Sequence, residues 1–156
     1  MKKWIWSLLA LTILTLTAFD FNKEDKNFIV TDANITIIEP ERILRYDFKI
    51  KNTGDSRLDH IDYPGHDHIG INLAVRPDKK LTSLMVMEKY TKYRKMQFRG
   101  GGGGALLPGK EASFHLEYKI KNDAELKRVK ENALGATLLI LNGTNTISEI
   151  HLSKFK

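Results

Sequence analysis

Leu44-Arg45-Tyr46-Asp47-Phe48-Lys49-Ile50-Lys51, closed by Asn52-Thr53-Gly54-Asp55, is the stretch on which the fold turns. Apolar side chains alternate with charged ones along it, and successive side chains of an extended strand point to opposite faces. The period of two predicts a strand with one face in a core and the other in water, ended by a turn. The pattern recurs downstream. Ile69, Ile71, Leu73 and Val75 alternate with Gly70, Asn72, Ala74 and Arg76 and stop at Pro77-Asp78. Phe114, Leu116, Tyr118 and Ile120 alternate with Ser113, His115, Glu117, Lys119 and Lys121. Upstream, Phe28 to Ile38 is rich in β-branched residues and ends before Pro40.

Between these segments Leu81 to Met87 is a denser apolar run, and Ala136 to Leu141 is continuous enough to predict a central strand covered on both faces. Asn142-Gly143-Thr144-Asn145 has hairpin chemistry, and Ile147 to Leu152 returns as the last strand. One helix is expected. Asn122 with Glu125 reads as a capping box, Leu126, Val129, Ala133 and Leu134 share a helical face, and Gly135 suits a left-handed C-terminal position. About seven short strands at turn-marked spacing with one short crossover helix predict an all-β fold, an antiparallel immunoglobulin-like β-sandwich.

The N-terminus carries a different signal. Met1, Lys2 and Lys3 precede an uncharged run from Trp4 to Ala18, about 15 residues, which is the size of a signal-peptide apolar region and short of a permanent span. The expected organisation is a signal peptide over 1–18, a polar spacer over 19–27 and a β-sandwich domain over 28–156. With 156 residues and 42% hydrophobic content, the chain has room for one core and too much apolar material for a disordered tail. The absence of Cys removes disulfides, thiolate metal sites, cysteine nucleophiles and a lipobox. Loss of Lys2 and Lys3 with the signal would lower the formal charge from +6 to +4.

Tyr46-Asp47-Phe48-Lys49-Ile50-Lys51-Asn52-Thr53-Gly54-Asp55, with Leu107-Pro108-Gly109-Lys110 before the strand from Phe114 to Ile120, resembles the small secreted immunoglobulin-like domains of Gram-positive bacteria. The likeness runs from Arg45 to Lys121. It implies a fold and an extracytoplasmic, cell-envelope location, and it carries no catalytic residues.

Two stretches hold functional chemistry. Asp59-His60-Ile61-Asp62-Tyr63-Pro64-Gly65-His66-Asp67-His68 gathers three of the five histidines around a Pro-Gly turn. His66 and His68 would share one face of a strand, with His60 and Asp62 folded back toward them, a nitrogen and oxygen set suited to zinc or copper. The competing reading is a polar loop. The second stretch interleaves Lys89, Lys92, Arg94, Lys95 and Arg99 with Tyr90, Tyr93 and Phe98, and Gly100 to Gly104 follow. Cations beside aromatic platforms suit polyanions such as an anionic cell-wall polymer. The competing reading is an edge strand defended by charge and joined onward by a mobile loop.

No nucleophile elbow or P-loop is present, so catalysis is not expected. The expected function is a secreted, non-enzymatic envelope interaction module contacting an anionic polymer or an envelope protein. Nucleic acid is not an expected partner, and the membrane is one only through an uncleaved signal segment. The rival is a metal-binding extracytoplasmic protein using His60, His66 and His68, and a third reading is a proteinase-inhibitor-like module presenting the glycines.

Overall fold

A computed structural model describes residues 27–55, 70–91, 95–143 and 145–156. Its elements are β1 (Phe28–Ile38), β2 (Ile43–Asn52), β3 (Asn72–Pro77), α1 (Lys79–Leu84), β4 (Phe98–Gly101), β5 (Glu111–Lys119), α2 (Leu126–Asn132), β6 (Ala136–Asn142) and β7 (Asn145–His151), with a closing 3₁₀ turn at Leu152–Phe155. They form a four-stranded sheet in the order β1-β2-β5-β4 and a three-stranded sheet in the order β3-β6-β7, with every strand pair antiparallel. The chain is mostly β, as expected. The stretch expected as a signal peptide, 1–18, and all of the expected spacer but Asn27 lie outside the described residues.

The alternation of the opening stretch becomes burial. Leu44, Tyr46, Phe48 and Ile50 of β2 are within 1% of complete burial, while Lys49 and Lys51 are exposed and Arg45 and Asp47 pair with each other in the solvent-facing layer. In one core these buried β2 side chains meet Leu116 and Tyr118 of β5, Ile120 just past it, Ile71 just before β3, Leu73 and Val75 along β3, and Leu138, Ile140 and Ile150 of the same three-stranded sheet as β3. Tyr46 stacks on Phe48 at 5.7 Å and meets Tyr118 edge-on at 6.1 Å, so aromatic rings fill the middle of the layer.

Two tyrosine hydroxyls tie the layers together. Tyr46 donates to the carbonyl of Ala133 just past α2 (2.7 Å), and the Tyr118 hydroxyl accepts from the Val75 amide of β3 (2.9 Å). Both phenols are pushed up from their ordinary range by burial.

The two turns quoted in the sequence meet at one end of the sandwich. Asn52 is 1% exposed, donates its side-chain amide to Leu106 O (3.2 Å) and accepts the Gly54 amide (2.9 Å). Its backbone bonds Lys110 O and the Gly109 amide, each at 2.9 Å. One buried asparagine therefore closes its own turn and clamps the Pro-Gly turn that leads into β5.

Some local expectations are corrected. Part of the apolar run from Leu81 to Met87 is the helix α1, because the carboxylate of Asp78 accepts the Leu81 amide (2.8 Å) and starts a turn that buries Leu81 and Leu84. The Asn122 capping box does not form. Glu125 precedes α2 with no side-chain cap. Gly135 is not left-handed; a β-carbon there would lie 2.5 Å from Asp78 Oδ2, so close approach is what requires glycine. The hairpin expected at Asn142–Asn145 joins β6 and β7, with Asn142 opposite Asn145 and Gly143 at φ 59°, and the last strand starts at Asn145, two residues before Ile147.

Candidate functional site: a basic hairpin and a glycine strap

The stretch after α1 leaves the sandwich and comes back as a hairpin. Met87 bridges Met96, the Glu88 amide donates to Lys95 O (3.1 Å) and the Gln97 amide to Val86 O (2.7 Å). The base is rooted in the core by fully buried Met85 and Met96, and by Val86 bonding to Lys119 O at the end of β5 (3.0 Å). Lys89, Tyr90 and Thr91 therefore lead from this neck into the tip.

At that tip Tyr90 is fully exposed and sits in the left-handed region at φ 59°. A tyrosine held with φ positive and its ring wholly in water gains nothing from the core, so its display needs another reason. Lys89 and Arg99 are also exposed. Lys95 is paired with Glu88 at 3.2 Å, and Glu88 accepts the Phe98 amide as well, so this cation serves the hairpin neck. Phe98 is 42% exposed and sets its ring edge-on to Tyr118 at 6.2 Å, making it a wall of the sandwich as much as a platform. Lys92, Tyr93 and Arg94 lie outside the described residues.

The glycine run is not a mobile loop. Gly100 and Gly101 belong to β4 and pair with Glu117 and Leu116 of β5. The Gly102 amide then donates to His115 O (3.1 Å), and Gly104 exchanges two backbone bonds with Ile71, at 2.9 and 3.0 Å. The run thus passes from the edge of one sheet to the edge of the other. A β-carbon would fall 1.9 Å from His115 O at Gly101 and 1.6 Å from Ile71 O at Gly103, so at these two positions the strap has no room for a side chain.

The second candidate site falls elsewhere. His60, Asp62, His66 and His68 lie outside the described residues, and among the described residues no group of three His, Cys, Asp or Glu side chains could hold a metal. Sequence reasoning did not single out a cleft of about 570 Å³ at the foot of the three-stranded sheet, lined by Arg76, Lys79, Thr137, His151, Ser153 and Lys156 among others. Its strongest cation is already engaged, since Arg76 pairs with Glu149, while His151 faces Thr137 Oγ1 at 3.2 Å. Arg76, Thr137 and His151 are spread over three strands and meet only through ladder register, which no single segment displays.

Among the described residues no helix is long and apolar enough to cross a membrane. The chain matches no protein-family description, no curated protein and no solved structure.

Proposed function

We propose that this protein is a secreted, non-catalytic module of the cell envelope with an immunoglobulin-like fold, which contacts an anionic wall polymer through the hairpin tip between Lys89 and Arg99. Support for the immunoglobulin-like assignment comes from strand order. Lettered A to G along the chain, β1-β2-β5-β4 is ABED and β3-β6-β7 is CFG, the arrangement of a constant-type domain.

The functional reading rests on Tyr90, a ring fully exposed at the end of a hairpin whose base is buried. A rigid neck with a free aromatic tip presents stacking surface at little ordering cost, and Lys89, Lys92 and Arg94 supply the charge that meets phosphate or carboxylate. Lys95 contributes less, because Glu88 neutralises it.

The test is retention of the protein on purified cell wall across a salt series. Replacing Lys89, Lys92 and Arg94 together by Ala is expected to abolish most retention at low salt, Tyr90→Ala to weaken it at every salt concentration, and Lys95→Ala to change it least. Retention that ignores salt and survives the triple substitution would overturn the proposal.

A further inference from the structure

The three-stranded sheet ends in a polar row. Arg76 on β3 lies opposite Thr137 on β6, and Thr137 lies opposite His151 on β7, so the ladder register lines the three up across the sheet. Their neighbours Val75, Leu138 and Ile150 belong to the core, and successive side chains of a strand alternate, so this row faces outward. β3 and β7 both leave the sheet at that end. One runs into α1, which begins at Lys79, and the other into the 3₁₀ turn that carries Ser153 and is followed by Lys156. All six residues line the cleft of about 570 Å³, a size within the usual range of small-molecule pockets.

These residues offer donors with few acceptors to match them. Lysine and arginine side chains can only donate. No ion pair among the described residues engages Lys79 or Lys156, and both are exposed. Arg76 is held by Glu149, which fixes its position and offsets part of its charge. Among the described residues the one acidic side chain on the wall is Asp78, and its carboxylate already accepts the Leu81 amide (2.8 Å). Thr137 Oγ1 and His151 Nδ1 lie 3.2 Å apart and share a hydrogen bond. If the threonine donates it, the neutral imidazole carries its proton on Nε2; if the imidazole donates it from Nδ1, the hydroxyl proton is free. In both cases the pair keeps a proton for a ligand. The next register pair, Pro77 opposite Ala136, adds an apolar strip to the wall.

We propose that this cleft binds the phosphate group of a small molecule. A phosphate monoester carries about −1.5 to −2 charge at neutral pH and three strong acceptor oxygens. Lys79 and Lys156, on flexible stems at the two sides of the row, meet the charge, while Ser153 and the Thr137–His151 pair donate to the oxygens. A neutral sugar would leave the two ammonium groups without counter-charge, and a metal cation would meet cations. The Pro77–Ala136 strip suits the carbon skeleton of an ester. The site lies on the sheet opposite the one that carries β4 and does not rest on the reading of the hairpin tip.

Amide NMR shifts of the full chain test this, with inorganic phosphate and glycerol 3-phosphate as probes and sodium chloride as the control at equal ionic strength. Saturable shifts at Thr137, His151 and Ser153 are expected with both phosphates and not with chloride. Tighter binding of glycerol 3-phosphate would mark an esterified ligand, and equal affinities would mark free phosphate. Replacing Lys79 and Lys156 together by Ala is expected to weaken binding about tenfold or more, and Thr137→Val by about three- to tenfold. Lys49→Ala, at an exposed position on the outer face of the other sheet, is expected to leave binding unchanged. Because Lys79 and Lys156 are exposed, binding lost under a native far-UV circular dichroism spectrum reads the site and not the fold. Shifts that do not saturate, that chloride reproduces, or that survive the double substitution would overturn the proposal.

Discussion

Tyr46 and Tyr118 show how a few polar atoms fix the relation between two apolar layers. The Tyr46 hydroxyl lies in the core and has the Ala133 carbonyl as its acceptor. Tyr46→Phe keeps the ring but leaves that carbonyl without its donor, and is expected to destabilise the fold by about 1–3 kcal/mol, measured by urea unfolding. Burial raises both phenols, so the folded protein keeps them protonated above the pH at which unfolded tyrosine ionises, about 10. Their stabilising effect is complete below that pH and is lost as pH rises above it. In a spectrophotometric titration these two of the five tyrosines should ionise only with alkaline unfolding, and their ionisation while far-UV circular dichroism stays native would disprove this. The burial of both residues was legible in the strand period; their hydrogen-bond partners were not, because Ala133 and Val75 are distant in sequence and join them only across the layers.

Among the elements, the glycine strap is the one whose role could not be read from the residues. Five consecutive glycines look like flexibility, and the feature that constrains them is the carbonyl of Ile71, some thirty positions earlier. Gly103→Ala would drive a β-carbon into that carbonyl and is expected to cost about 1–3 kcal/mol or more. Gly104→Ala meets only Phe114 Cε1 at 3.6 Å, an ordinary contact, and should change stability by no more than about 0.5 kcal/mol. Thermal unfolding of the two variants side by side decides the matter; equal losses would mean that the strap is not under steric constraint. The strands were legible because a half-buried sheet writes its period into the chain. α1 was hidden because six residues are too few to display a helical period inside an apolar run. The hairpin was partly legible: its cations and rings were visible in the sequence, while the partnering of Lys95 with Glu88 needed the register of Met87 against Met96.

For the whole molecule, one core shared by both sheets and no disulfide means that stability rests on packing. Leu138 is completely buried on the central strand of the smaller sheet, and Leu138→Ala is expected to cost about 2–5 kcal/mol. Because Tyr46 and Tyr118 lie between the sheets, near-UV and far-UV circular dichroism should still report the same unfolding midpoint in that variant. Separate midpoints would show sheets that come apart independently. The strap also decides how copies of this molecule can meet. Gly104 and Ile71 carry hydrogen bonding from one sheet to the other on the flank of β4 and β3, which leaves β1 and β7 as the outer strands of the opposite flank. A register shift between Val30 and Asp32 already disrupts one of them. Among the described residues the flank of β1 and β7 is the one the strap does not touch, and two copies adding strand to strand across it would form a closed pair.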